Sequence, residues 1–172
     1  GSLLMQSGRD MNLRAADVTA TGEATLLAGN NLNLMSGEAV WDQSTRAKWT
    51  KHGFLSKTTH KIQSETHQQS ALGSTVSGDT LKVMAGNDLT ASGSNLLGTH
   101  DVTLSAGNNL TLTTAAESDH SASVEQKKKS GFSGTGGIGF SLGHSSQKLT
   151  RDDSRNVPKG SVAGSSAGSL TL

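Results

Sequence analysis

The chain contains no cysteine and one proline among its 172 residues. Without cysteine there is no disulfide framework and no thiolate metal site. The absence also suits a protein that must stay unfolded while it crosses a membrane. Aromatic residues make up 3% and hydrophobic residues 32%, which is thin for a globular core of this length. No apolar run approaches the ~20 residues that a bilayer-spanning helix needs, so no such helix is expected. No signal peptide is visible. Fifteen Lys and Arg against 14 Asp and Glu leave a net charge of +1, so the chain as a whole has no electrostatic pull toward nucleic acid. No nucleic-acid partner is expected.

What is present is a repeated phrase. Ala106-Gly107-Asn108-Asn109-Leu110-Thr111-Leu112 is nearly matched by Ala28-Gly29-Asn30-Asn31-Leu32-Asn33-Leu34. Ala85-Gly86-Asn87-Asp88-Leu89-Thr90-Ala91 is a close variant, and Ser7-Gly8-Arg9-Asp10-Met11-Asn12-Leu13 a weaker one. Gly8 to Gly29 and Gly86 to Gly107 are each 21 residues; Gly29 to Gly86 is 57, or one period plus 36. A literal phrase at fixed spacing marks a repeat architecture.

Alternating apolar pairs flank each glycine: Ala24 and Leu26 before Gly29, then Leu32 and Leu34 after it. A third short run, at Val18 and Ala20 and again at Leu96 and Gly98, completes the period. Alternation of period 2 is the strand signature with one face buried. Three short strands cannot bury their own apolar face, but stacked turns of a parallel β-helix can. The fold expected is therefore an all-β solenoid of about 21 residues per turn. A β-sandwich is the competing architecture. Gly8, Gly29, Asn30, Gly86, Asn87, Gly107 and Asn108 are the expected structural corners. Gly and Asn tolerate the positive φ that a sharp corner demands, and stacked Asn side chains can form a hydrogen-bond ladder.

The period breaks twice, over residues 38–73 and 117–160, and each insertion is expected to be a protruding β-hairpin or loop. They echo one another: Gly131-Phe132 follows Gly53-Phe54 by 78 residues, the spacing of Gly29 and Gly107. The 134–143 stretch, rich in glycine, reads as a hairpin or flexible tip. The chain enters a repeat part-way at Leu3 and leaves one part-way at Leu172, so 1–172 reads as one β-helical segment of something longer.

Glu23 and Asp101 share a place in the period, with Thr80 between them, as carboxylates of a polysaccharide-cleaving β-helix would. Two turns put their backbones ~10 Å apart, so a solvated corner is favoured. His52, His60, His67, His100, His120 and His144 show no metal spacing, and no cofactor is expected. The insertions are basic and hold both tryptophans. Trp41, Arg46, Lys48, Trp49, Lys51, Lys57, Lys61, Lys127, Lys128 and Lys129 are the candidate partner-binding residues. Such residues bind anionic glycans or acidic protein surfaces. The competing reading is that charge on exposed strands prevents edge-to-edge pairing, and that the tryptophans pack the hairpin base.

The segment Lys129-Ser130-Gly131-Phe132-Ser133-Gly134-Thr135-Gly136-Gly137-Ile138-Gly139-Phe140, together with the Ala-Gly-Asn-Asn-Leu-Thr-Leu phrases, resembles the haemagglutinin repeats of filamentous-haemagglutinin-like exoproteins. The resemblance is strongest to the CdiA-like proteins of contact-dependent growth inhibition and covers nearly all of residues 3–172. It implies a right-handed parallel β-helix in a fibre on the surface of a Gram-negative bacterium. It implies export through an outer-membrane two-partner-secretion transporter, and delivery of a C-terminal toxin to a target cell through an outer-membrane protein or surface glycan. An adhesin for host cells or matrix glycans is the alternative. No enzymatic activity of this segment is implied. Gly53-Phe54-Leu55-Ser56 departs from the pattern, because no glycine-rich run follows it.

Overall fold

In a computed structural model, residues 1–135 and 139–172 are described. They form 17 strands and no helix. The chain divides into two compact units. Unit 1 comprises Gly1–Ala39, Gln69–Glu117 and Asn156–Leu172; unit 2 comprises Val40–Gln68 and Ser118–Arg155.

Unit 1 is built by circuits of short strands. The first circuit is β1 (Leu3–Ser7), β2 (Met11–Arg14) and β3 (Asp17–Thr19). The second is β4 (Glu23–Ala28) and β5 (Leu32–Met35), after which the chain departs through β6 (Gly37–Gly53) and β7 (Ser56–Leu72) before completing the circuit with β8 (Thr75–Gly78). The third, β9 (Thr80–Ala85), β10 (Leu89–Ser92) and β11 (Asn95–Gly98), is uninterrupted. The fourth is β12 (Val102–Ala106) and β13 (Leu110–Thr113). It departs through β14 (Ser118–Thr135) and β15 (Gly139–Asn156), and returns at β16 (Val162–Ser165); β17 (Leu170–Thr171) begins a fifth.

Each strand pairs in parallel with its counterpart one circuit on, giving sheets β1-β4-β9-β12-β17, β2-β5-β10-β13 and β3-β8-β11-β16. Leu3 faces Ala24 and Leu89 faces Leu110, both 21 residues apart. Leu32 faces Leu89 across 57 and Asn95 faces Val162 across 67. The register therefore absorbs both departures without slipping, and a one-residue slip would turn every apolar side chain outward. This all-β arrangement of parallel sheets is consistent with a parallel β-helix.

The core consists of columns of like residues between the sheets. Ala24, Leu81 and Val102 share one column, Leu26, Val83 and Leu104 a second, and Leu32 and Leu89 a third. Leu26, Leu32, Leu81, Val83, Leu89 and Val102 are fully buried. Alternation along β4 and β9 is strict, one residue inward and the next outward. Each fully buried aliphatic side chain stabilises by about 1.5–3 kcal/mol.

Unit 2 is a four-stranded sheet, ordered β15-β14-β7-β6, to which the strands of both insertions contribute. Asp42–His67, Thr50–Thr59 and Trp49–His60 are cross-strand partners in one antiparallel register that closes on Phe54-Leu55. Phe132 donates its N–H to the Leu55 carbonyl at 3.0 Å, fixing how β14 meets β7. The glycine-rich tip expected at 134–143 has residues 136–138 outside those described.

Candidate functional site

The expected corner residues lie in unit 1 and the expected partner-binding residues in unit 2. Each set has its own geometry.

At the corners the glycines are required by stacking and not by backbone conformation. None of Gly8, Gly29, Gly86 and Gly107 has positive φ; among the described glycines only Gly93 does. The expectation of left-handed corners at these positions is corrected on that point. A Cβ on Gly29, Gly86 or Gly107 would sit 2.4, 2.3 or 2.1 Å from the carbonyl oxygen of the glycine one circuit below. Gly8, first in the column, has nothing within 4 Å. A side chain is excluded because the next backbone occupies its space.

The ladder runs one column further along. Asn30 Nδ2 and the Asn31 N–H donate to Asp10 Oδ1 at 2.8 and 3.0 Å. Asn87 Nδ2 donates to Asn31 Oδ1 at 3.0 Å, and Asn108 Nδ2 to Asp88 Oδ1 at 3.1 Å. Each acceptor, Asp10, Asn31 or Asp88, receives from the circuit above. The amides at the corners are thereby partnered without a bound ion.

A serine column escaped the sequence reading. Ser74 and Ser94 are fully buried polar residues, and with Ala16 and Ser161 they occupy equivalent positions immediately before the third sheet. Ser74 Oγ donates toward the Met35 carbonyl at 2.8 Å and accepts from the Ala16 N–H at 3.1 Å. Ser161 Oγ donates to the Thr113 carbonyl at 2.6 Å and accepts from the Ser94 N–H at 3.1 Å. Met35 and Thr113 end the strands from which the chain departs. The Met35 and Thr113 carbonyls also accept the backbone N–H of Ala15 and of Gly93, at 3.0 and 3.1 Å, so each hydroxyl adds a second donor to a carbonyl at a point of departure. The signal that could have found them is a serine one residue before three of the four third-sheet strands, β8, β11 and β16. At the base of the departures, Ala71 is bracketed by charge: its N–H donates to Glu117 Oε1 and its carbonyl accepts from Lys159 Nζ, each at 3.1 Å.

The carboxylates considered for catalysis are used structurally. Glu23 Oε1 accepts from Thr25 at 2.8 Å and from Lys82 Nζ at 3.2 Å. The Thr25 hydroxyl foremost, and then Lys82, lower the Glu23 carboxyl below its ordinary pKa. Asp101 Oδ1 accepts from the Ser169 N–H at 2.9 Å. No group of three metal-ligating side chains occurs among the described residues.

In unit 2 side chains alternate between two faces. One face carries Arg46 and Lys48 of β6, Lys57 and Lys61 of β7, and Lys128 of β14. The other carries Trp41, Trp49 and Lys51 of β6 with Lys127 and Lys129 of β14. The triple lysine is therefore split between faces. Trp49 stacks on His60 with ring centroids 5.0 Å apart and planes 4° from parallel, and remains 40% exposed. Trp41 is 54% exposed. Both tryptophans thus present open surface, and neither is buried as a base-packing residue. Arg46 contacts Glu65 at 3.4 Å with both groups largely exposed, an ion pair of small energetic weight.

The near-neutral total conceals a separation. Unit 2 holds 11 of the 15 Lys and Arg but six of the 14 Asp and Glu, giving +5; unit 1 has −4. Sequence-wide charge gave no sign of this, because it averages the two.

The family model described as "Hemagglutinin repeat" matches residues 1–52 and 55–172. The chain belongs to the hemagglutinin-repeat family. Hemagglutinin-repeat relatives include a protein named 16S rRNA endonuclease CdiA from Enterobacter cloacae, 39% identical over 100% of this chain and 5% of the relative. A tRNA nuclease CdiA from Escherichia coli is 37% identical over 92% of the chain and 5% of its own length. A tRNA nuclease CdiA-2 from Burkholderia pseudomallei is 29% identical over 99% of the chain and 6% of its length. The chain thus spans about one twentieth of these curated relatives. No solved structure gives a significant match. A hemagglutinin-repeat segment of a CdiA or filamentous-haemagglutinin type of fibre is a structural element.

Proposed function

We propose that this chain is a structural and interaction segment of a secreted fibre on the surface of a Gram-negative bacterium, acting in contact-dependent delivery of a toxin to neighbouring cells. The observation that carries this reading is the hemagglutinin-repeat match across both units, combined with relatives named CdiA. On this reading 1–172 is one segment of a right-handed β-helix with about 21 residues per turn. Its hairpin insertions are 38–73 and 117–160. The parent is exported by an outer-membrane two-partner-secretion transporter, and each turn templates the next as the chain emerges. The nuclease activity named for the relatives is carried elsewhere in the parent.

Arg46, Lys48, Lys57, Lys61 and Lys128 on one face of unit 2, and Trp41, Trp49, Lys51, Lys127 and Lys129 on the other, are the residues offered to a target-cell outer-membrane protein or glycan. The +5 charge of unit 2 favours an anionic partner. It also favours the second reading, an adhesin for anionic glycans. Deletion of residues 38–172 from the parent, with secretion, adhesion and target-cell killing scored separately, tests both. Loss of killing with secretion intact supports toxin delivery. Loss of adhesion alone, with killing retained, overturns it in favour of the adhesin.

A further inference from the structure

Four residues line up across unit 2, one from each strand of its sheet: Asp42 of β6, His67 of β7, His120 of β14 and Asp152 of β15. Asp42 Oδ1 contacts His67 Nδ1. Asp152 Oδ1 lies 3.5 Å from His120 Nδ1. The two histidines face one another in the register of β7 and β14. That register is set where Phe132 bonds Leu55 and where a Cβ on Gly131 would meet Ser56 Cα at 2.8 Å. Twelve residues on from Leu55 along β7, and twelve back from Phe132 along β14, antiparallel pairing brings His67 opposite His120. Both border one open groove of about 320 Å³, together with Asp42, Ser44, Glu65 and Ala122. We propose that His67 and His120 chelate one transition-metal ion, Zn²⁺ or Cu²⁺, through their Nε2 atoms, and that the ion ties the first insertion to the second.

The flanking carboxylates prepare both imidazoles for this. An ionised carboxylate only accepts hydrogen bonds, so each Asp holds an imidazole proton on Nδ1 and leaves Nε2 with its lone pair. A histidine braced in this way by a carboxylate is the usual form of a histidine metal ligand. The brace also aims the ring. β6 and β14 flank β7 on opposite sides, so an Nδ1 turned toward β6 turns Nε2 toward β14. His120 mirrors this, with Nδ1 toward β15 and Nε2 toward β7. The two lone pairs therefore converge over the β7–β14 seam. Among the described residues neither Nε2 has a hydrogen-bond partner.

Span, charge and donor type fit the same ion. Directly opposite residues have Cα atoms about 5.5 Å apart in a hydrogen-bonded antiparallel pair. A tetrahedral Zn²⁺ with Zn–N bonds of about 2.0–2.1 Å needs the two nitrogens about 3.3 Å apart, which rings leaning together across one strand spacing supply. With both imidazoles neutral, the two carboxylates give the row a charge of −2, offsetting that of a divalent ion. Imidazole nitrogens suit Zn²⁺ and Cu²⁺, whereas Ca²⁺ and Mg²⁺ require oxygen ligands. Two protein ligands leave the remaining positions to water, for which the groove has room. Residues 67 and 120 lie 53 apart in the chain, so spacing along the sequence carries no trace of the pair. His100 is the one histidine of unit 1; Asp79 braces it at 2.6 Å, but no second imidazole of that unit faces it.

Isothermal titration calorimetry of the untagged chain with Zn²⁺ is expected to give one ion per chain. His67→Ala and His120→Ala are each expected to weaken binding about tenfold or more, and the double variant little further, because either change already breaks the chelate. Asp42→Asn is expected to weaken it by about tenfold through loss of the brace. His100→Ala, which removes a braced but solitary imidazole, is expected to leave it unchanged. Electron paramagnetic resonance of the Cu²⁺-loaded chain is expected to show two imidazole nitrogens, and one in either single variant. Both tryptophans lie in unit 2, so their fluorescence reports its unfolding. Zn²⁺ is expected to raise that unfolding temperature in the wild-type chain and not in His67→Ala. Circular dichroism establishes that each variant is folded. The proposal is overturned by a folded wild-type chain that binds no Zn²⁺, or by a Cu²⁺ spectrum with a single nitrogen. A loss in His100→Ala equal to that in His67→Ala overturns it too, as that signals adventitious binding to lone histidines. So does Ca²⁺ binding as tightly as Zn²⁺, since carboxylates and not imidazoles would then hold the ion.

Discussion

The two units contrast in what holds them. Unit 1 is parallel, dry inside and negative; unit 2 is antiparallel, exposed on both faces and positive. In unit 1 position is dictated by contact with the next circuit, so the same residue type recurs in columns. In unit 2 little is enclosed: Phe54 at the β6–β7 turn is 97% exposed and Leu142 77%. The lesson is that one chain alternates between a region where sterics select residues and a region where charge and edge bonding do.

The largest expected effect breaks the core side of the comparison. Leu89→Ala removes a fully buried side chain and costs about 2–5 kcal/mol, read by thermal or denaturant unfolding. Leu149→Ala in unit 2, at 58% exposure, changes stability by less than about 0.5 kcal/mol. Next comes the corner. Gly86→Ala places a methyl 2.3 Å from a carbonyl oxygen and is expected to cost about 1–3 kcal/mol, whereas Gly143→Ala meets nothing within 4 Å and is near neutral. Equal effects at the two glycines would remove the stacking argument. Ser94→Ala strips a buried hydroxyl from the Leu34 and Ser92 carbonyls, with an expected loss of about 1–3 kcal/mol in the same measurement.

The smallest effect concerns pH. The Glu23 carboxyl titrates below its ordinary value because Thr25 and Lys82 favour the charged form. A lowered folded-state pKa stabilises above the unfolded value and loses that contribution as pH falls through the folded one. Carbon-detected NMR titration is expected to show Glu23 below an ordinary glutamate. Lys82→Met should move it partly back, and no movement would mean that Thr25 alone sets it.

Much of unit 1 was legible. The recurrence of Gly29, Gly86 and Gly107 with alternating apolar pairs gave the stack and its period, because a repeat prints the same physical demand many times. The role assigned to those glycines was wrong in mechanism: sequence shows that a side chain is excluded, not whether φ or a neighbouring carbonyl excludes it. Ser74, Ser94 and Ser161 went unread because Ser74 and Ser94 are 20 and not 21 residues apart, the second insertion separates Ser161 from both, and serine is common. The β7–β14 pairing was illegible for a different reason. It joins segments 46 residues apart at their nearer ends, Leu72 and Ser118, whose polar alternation carries no inward face to fix a register.

The glycine corner has a consequence for how the chain tolerates interruption. A column in which each residue must lack a side chain acts as a keyway: only the glycine enters the slot, and a neighbouring Ala or Asn does not. Intervening sequence of any length passes between two entries, provided the next key arrives in phase. The spacing of 57 residues from Gly29 to Gly86 and of 21 from Gly86 to Gly107 fills the same slot equally well. Segments inserted between keys are thus free to diverge in length and chemistry while the shaft they interrupt keeps its phase.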